Sequence, residues 1–182
     1  MIFSRISRLA AFSLFVGLFV GCNPTSGDAD PVIDSPLKTL LFDAEALHES
    51  LEATDPETTR EVPSGISWTT NPSLSMDRPF IEGVARGGSQ GNLDGTGMRA
   101  ALYARYQSGT KEIGFYGLEA ESTAVADKRE KAIREIWAHN ESLDRTHVYR
   151  KGNVLLVVWL WTDEELPECW EATKRIVQKR FD

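Results

Sequence analysis

The chain has 182 residues, of which 41% are hydrophobic, and its formal net charge is −7. This length suits one domain with a targeting segment, and the hydrophobic content is sufficient for a core. The acidic balance argues against nucleic acid as a partner, because nucleic-acid binding needs basic patches that displace counterions. With only two cysteines, Cys22 and Cys169, the chain has no disulfide framework.

The N-terminal residues have the layout of an export signal. Arg5 and Arg8 form a positively charged region, and the apolar stretch Leu9–Val20 follows it. This stretch is shorter than the roughly 20 apolar residues that a membrane-spanning helix needs. The sequence therefore predicts that the protein is exported and that residues 1–21 are its signal peptide.

The segment Phe19–Cys22 resembles the lipobox of bacterial lipoproteins. The resemblance implies that Cys22 becomes the first mature residue and carries acyl chains, such as palmitate, that anchor the protein to a membrane. Asn23 follows the cysteine, where an Asp would imply retention in the inner membrane. In a cell with two membranes, the resemblance thus implies an outer-membrane location facing the periplasm. An uncleaved N-terminal anchor is the alternative, and it also places the domain outside the cytoplasm.

A tether and a first helix are predicted next. Residues 22–36 are rich in Pro, Ser, Gly and Asp and cannot bury enough apolar surface to fold, which predicts a flexible tether. Ser35 followed by Pro36 predicts a helix start. Apolar residues at helical spacing continue this helix to Thr54. A single α+β domain is predicted over residues 37–182.

Residues 57–97 are the least regular part of the sequence. Short strands are predicted over Ile66–Thr69 and Phe80–Ala85, and the glycines of residues 86–97 predict a loop. Gly95–Ala100 fits the G-x-G-x-x-A pattern of dinucleotide sites, but that chemistry needs a preceding strand and a following helix. The simplest interpretation is a loop that connects strands, and a binding loop is the alternative.

Strands and helices alternate in the C-terminal half. Strands are predicted over Met98–Gln107, Glu112–Leu118, Thr146–Arg150 and Asn153–Trp161, and helices over residues 122–139 and 164–180. The run Asn153–Trp161 is the organising strand, because its apolar, β-branched and aromatic residues favour burial on both faces. Two hairpins, each followed by a helix, predict a small antiparallel sheet in β-β-α-β-β-α order with helices on one face. One N-terminal helix precedes this α+β arrangement.

The aromatic residues of the strands are the candidate ligand contacts. Trp159 and Trp161 lie two positions apart and therefore share one face of the organising strand. If this face is open, it forms a ligand face with Tyr149 and Tyr103 that can stack against a sugar ring or a partner's side chain. The alternative is that these aromatic residues belong to the core.

Cys169 is the residue with the greatest potential for chemistry. At the start of the last helix, free amides would favour its thiolate, whereas the neighbouring glutamates would oppose it. A buried thiol beside Trp170 is the simplest interpretation. The alternatives are an intermolecular disulfide and a nucleophile paired with His147 or His48. No catalytic set, metal site or cofactor is predicted.

The sequence therefore predicts a non-enzymatic envelope lipoprotein whose domain binds an envelope protein or a cell-wall ligand. The alternatives are an envelope enzyme that uses Cys169 with a histidine, and a structural subunit of an envelope complex.

Overall fold

The structure, a computed structural model, describes residues 33–56, 66, 68–139, 145–161 and 167–182. The predicted signal peptide and Cys22 lie outside the described residues. In chain order the elements are a 3-10 helix (Pro36–Leu40), α1 (Ala44–Leu47), β1 (Glu52–Ala53), β2 (Ser73–Ser75), α2 (Arg78–Gly88), β3 (Met98–Ser108), β4 (Lys111–Ala120), α3 (Thr123–Ala138), β5 (Thr146–Lys151), β6 (Val154–Trp161) and α4 (Glu168–Phe181).

The strands form one antiparallel sheet of six strands. The order is β1-β3-β4-β6-β5, and β2 also pairs with β3. β6 lies between β4 and β5, and it pairs with β4 from Val154 opposite Glu119 to Trp161 opposite Glu112. Because it is buried along most of its length, β6 is the organising strand that its apolar sequence predicts. The prediction of a mixed α/β domain around an antiparallel sheet is confirmed.

Helices cover both faces of the sheet, so the prediction that they share one face is wrong. The 3-10 helix, α1 and α4 pack on the face that carries Leu156 and Val158. On the opposite face, α2 and α3 pack against Leu155 and Val157. The physical reason lies in β6 itself, whose apolar side chains point to both sides and need a cover on each.

The first helix is not continuous as far as Thr54, which corrects the sequence prediction. Ser35 does cap a helix, since its Oγ accepts a hydrogen bond from the Leu37 amide, but the 3-10 helix ends at Leu40. The break turns Phe42 into the core, where its ring meets Phe115 edge-on at 6.1 Å. A continuous helix with the predicted leucine stripe would expose Phe42, so the burial of this ring favours the break.

The predicted strand Phe80–Ala85 is wrong, because these residues lie in α2. The missed signal was Asp77 at the N-cap and the proline of the first turn, a combination that starts helices. Two glycines of the predicted loop end this helix and let it approach β4 closely. A Cβ on Gly87 would lie 2.5 Å from Cε1 of Tyr116, so glycine is needed for this packing.

The strands and helices from Met98 onward lie close to the positions that the sequence predicts. The hairpin turns have Gly109 and Gly152 with φ of +60°, a conformation that favours glycine. Ser122 caps α3, since its Oγ accepts a hydrogen bond from the Val125 amide. Within α3, Nε of Arg134 lies 2.9 Å from Oε1 of Glu130, one helical turn earlier. Charged residues of α3 also reach β5, because Glu130 and Asp127 both pair with Arg150.

Candidate ligand-binding surface

Tyr149 lies on the opposite face of the sheet from Trp159, contrary to the expectation of one shared ligand face. Tyr149 is opposite Leu156 in the register of β5 and β6, and both belong to the core under α4. Its hydroxyl donates a hydrogen bond to the Lys174 carbonyl at 3.1 Å. Its ring contacts Phe181, with 5.4 Å between the ring centroids. Tyr149 is therefore a core residue that holds α4 to the edge of the sheet.

Tyr103 does share a face with Trp159, but its side chain is only 1% exposed. It belongs to a row of rings that crosses the sheet. Trp68 meets Tyr103 edge-on at 5.0 Å, Tyr103 lies 5.4 Å from Tyr116, and Tyr116 stacks against Trp159 at 6.1 Å. Burial raises the pKa of Tyr103 to about 12, so its phenol stays neutral. Tyr103 is therefore a buried member of this aromatic row and is not a ligand contact.

Trp161 is the most exposed of the four predicted residues. It is the last residue of β6, and its side chain is 56% exposed. Trp159, two residues earlier, is partly buried and packs against the aromatic row. The indole of Trp161 is therefore an open ring on the same strand face as Trp159, and the aromatic row that ends at Trp159 forms a rigid base.

A buried ion pair lies beside these tryptophans. Arg105 of β3 is only 4% exposed and pairs with Glu112 of β4, which lies directly opposite Trp161. Burial would lower the pKa of Arg105, but Glu112 and Tyr103 outweigh it, so the pKa rises and the guanidinium stays charged. A hydrogen bond and an ion pair between charged groups hold both side chains in fixed positions.

We call Arg105, Glu112, Trp159 and Trp161 the Trp161 surface. It offers a flat apolar ring next to a carboxylate, which accepts hydrogen bonds. The two charged members were not among the sequence candidates. A usable signal was present, since Arg105 and Glu112 occupy positions in the apolar strands that face the same side as Tyr103 and Trp161.

The three residues of the enzyme hypothesis, Cys169, His147 and His48, lie in different local environments. Cys169 is 2% exposed beside Trp170, as expected for a buried thiol, and burial raises its pKa. The His147 ring contacts that of Tyr149 at a tilt of 50°, with 4.5 Å between the centroids, and the charges that act on it belong to Lys174, Arg134 and Glu171. His48 lies in a turn, with its Nδ1 2.7 Å from the Ser50 hydroxyl. These contacts join no histidine to the thiol.

Among the residues that the structure describes, no group of three or more His, Cys, Asp or Glu side chains is arranged to hold a metal ion. Within the same residues, no helix combines the length and the apolar character needed to cross a membrane. Comparisons with protein-family models, with curated proteins and with solved structures found no match.

Proposed function

We propose that this protein is a membrane-anchored envelope lipoprotein whose domain is a non-enzymatic binding module, and that the Trp161 surface binds a saccharide chain of the cell wall. The observation that carries the proposal is the exposed indole of Trp161, which lies opposite Glu112 of the Arg105–Glu112 pair in the register of β4 and β6. An aromatic ring can stack on the apolar face of a sugar, while a neighbouring carboxylate accepts hydrogen bonds from hydroxyl groups.

Rigidity of the base supports the proposal. Trp159 and Tyr116 are stacked with an interplanar angle of 27°, and the row continues to buried Tyr103. A surface that is already ordered loses little conformational entropy when a ligand binds. An isolated flexible tryptophan would lack this advantage.

The anchor is proposed from the N-terminal sequence. In this proposal Cys22 carries acyl chains, each buried CH₂ of which contributes about 0.8 kcal/mol to membrane binding. The protein would be exported and, in a cell with two membranes, held at the outer membrane facing the periplasm. Such a location would bring the domain close to the cell wall.

The buried state of Cys169 favours the binding module over the enzyme alternative. A nucleophilic cysteine needs an accessible thiolate and a nearby base. Here burial raises the thiol pKa, and the side chain is 2% exposed. The geometry therefore supports a structural role for this residue.

Saccharide binding is tested by titrating the membrane-extracted protein with a tetrasaccharide of N-acetylglucosamine and following tryptophan fluorescence. We expect Trp161→Ala to weaken binding about tenfold or more, since an aromatic anchor contributes at least ~1.4 kcal/mol. Met76→Ala is the matched control, because Met76 is 50% exposed elsewhere on the surface. An unchanged dissociation constant for Trp161→Ala, or no binding at all, would overturn the saccharide proposal.

The anchor is tested separately by the intact mass of the mature protein. We expect a diacylated or triacylated Cys22 at the new N-terminus and, for Cys22→Ser, a chain that is no longer cleaved at this position. A mature protein with an unmodified Cys22 thiol would contradict the lipoprotein proposal and leave the saccharide proposal intact.

A further inference from the structure

A groove lies between α3 and the loop that precedes β3. Its volume is about 600 Å³, within the range of roughly 300–1,000 Å³ that is usual for small-ligand pockets. The lining is mostly apolar. It includes Leu93, Asp94, Gly97, Val125, Lys128 and Arg129.

The groove exists because small residues line the helix side. Ala124 and Ala132 are two turns apart on α3, and they leave space beside Val125. On the loop side, Gly97 has φ of +76°, and a Cβ there would lie 2.8 Å from Cγ1 of Val125. Glycine at this position therefore brings the loop close to the helix while keeping the groove open.

Hydrogen bonds hold the loop wall in place. The Gly95 amide donates to Oε2 of Glu82 at 2.7 Å, and the Thr96 amide donates to Oδ1 of Asp94 at 2.9 Å. Arg129 donates from Nη2 to the Thr96 carbonyl at 2.8 Å. The wall is tied to both α2 and α3, so the groove is formed before any ligand arrives.

The charge of the groove is opposite to that of the protein. Two cations, Lys128 and Arg129, line it against one anion, Asp94, although the whole chain has a net charge of −7. Arg129 is occupied, because it contacts the Thr96 carbonyl and lies 3.7 Å from the Asp94 carboxylate. Lys128 is exposed, and it has no ion pair within the part of the chain that the structure describes. A local cation at an apolar groove favours a ligand with one negative charge.

We propose that this groove binds a single long-chain carboxylate, a free fatty acid, with its chain along Leu93 and Val125 and its carboxylate at Lys128. The apolar walls would bury the methylene groups, and the ammonium group would form a charge-assisted hydrogen bond with the carboxylate. The groove uses none of the residues of the Trp161 surface. This activity is therefore additional to the proposed saccharide binding and is independent of it.

The test uses the membrane-embedded full chain and a hexadecanoic acid that carries a photoreactive diazirine in its chain. After illumination, mass spectrometry locates the labelled peptides. We expect label on residues 92–97 and 124–132, and we expect Ala124→Trp, which fills the groove, to remove most of it. Ala138→Trp is the matched control, because Ala138 is also exposed on α3 but does not line the groove.

Further variants test the contact with the carboxylate. Lys128→Gln should reduce labelling about tenfold, an effect within the usual strength of a charged hydrogen bond. Lys131→Gln on the same helix should leave it unchanged, and the uncharged diazirine alcohol of equal length should label as weakly as the acid labels Lys128→Gln. Equal labelling of Ala124→Trp and the native chain would overturn the proposal. Stronger labelling by a phosphatidylglycerol with the same diazirine chain would also overturn it, because the groove would then bind membrane lipid.

Discussion

The indole of Trp159 lies across the backbone of Gly114 on the neighbouring strand. The two residues are opposite each other in the register of β4 and β6, and a Cβ on Gly114 would lie 2.1 Å from Cε2 of the indole. The missing side chain lets the ring lie flat and stack on Tyr116 at 6.1 Å. The orientation of Trp159, and with it the base of the Trp161 surface, thus depends on a glycine one strand away.

Gly114→Ala is expected to destabilise the domain by about 1–3 kcal/mol, the usual cost of forcing extra volume into a packed site. Urea unfolding followed by circular dichroism measures this change. In a Trp159→Ala background the same substitution should become neutral or stabilise by about 0.4–1 kcal/mol, because the clash is gone and alanine restricts the unfolded chain. Equal costs in both backgrounds would show that Trp159 is not the residue that Gly114 accommodates.

Glu119 is expected to hold the start of the folded domain. Its carboxylate is buried, and it accepts hydrogen bonds from the Ser35 hydroxyl at 2.6 Å and from Asn153 Nδ2 at 3.3 Å. Glu119→Ala removes the acceptor of the buried Ser35 hydroxyl, while Asn153 Nδ2 keeps its bond to the Ala120 carbonyl, and the change should cost about 1–3 kcal/mol in the free energy of unfolding. Hydrogen exchange at the Leu37 amide, which bonds to Ser35 Oγ, should also become faster.

Arg99→Ala is the matched control for Glu119. The Arg99 Nε lies 3.0 Å from Oε1 of Glu119, but the Arg99 side chain is 46% exposed. Solvent screens the guanidinium, and the carboxylate keeps its hydrogen bonds from Ser35 and Asn153, so Arg99→Ala should cost less than Glu119→Ala does. If both variants lower the free energy of unfolding equally, the ion pair rather than the buried hydrogen bonds would account for the stabilisation by Glu119.

The pKa of His147 is expected to lie below the ordinary value for a histidine. Burial lowers its pKa from 6.5, Lys174 and Arg134 lower it further, and Glu171 acts in the opposite direction. The folded protein therefore binds fewer protons at this site than the unfolded chain does. Its contribution to stability is full above pH 6.5 and is lost as the pH falls through the pKa of the folded state.

A pH titration of the His147 ring by NMR measures this shift. Lys174→Gln removes a positive charge and should move the pKa of His147 toward 6.5, though not fully, because burial remains the main cause. Lys179→Gln, a change of the same charge on the exposed side of α4, should leave the titration unaltered. A His147 pKa at or above 6.5 in the native protein would contradict the expected downward shift.

The strands β3 to β6 could be predicted from the sequence because their signals are local, whereas β1 and β2 were not predicted. Alternation over Met98–Ser108 and the apolar run of β6 specify extended chain, and Gly109 marks the hairpin turn. The segment Phe80–Ala85 was ambiguous, because a short apolar run fits a strand or a helix equally well. Asp77 and the following proline decide between them, and they act from outside the run.

The candidate site was harder to predict because exposure depends on partners that are distant in the sequence. Tyr103 is covered by Trp68, which lies in a loop 35 residues earlier in the sequence. No pattern within β3 predicts this contact. The face of Tyr149 depends on the register between β5 and β6 and on the position of α4. Trp161 could be identified because it lies two positions after Trp159 and therefore shares its strand face.

Cys169 is expected to react slowly in the folded protein. Its thiol is 2% exposed, and burial raises its pKa, so both access and thiolate formation are disfavoured. At pH 8, labelling with a maleimide should be at least about a hundredfold slower in buffer than in urea, because it requires local opening of the α4 start.

Cys169→Ser should also destabilise the domain by about 1–3 kcal/mol, since a hydroxyl is costlier to bury than a thiol. Rapid labelling of the native protein near pH 6, lost in His147→Ala, would contradict the structural role and support the enzyme alternative.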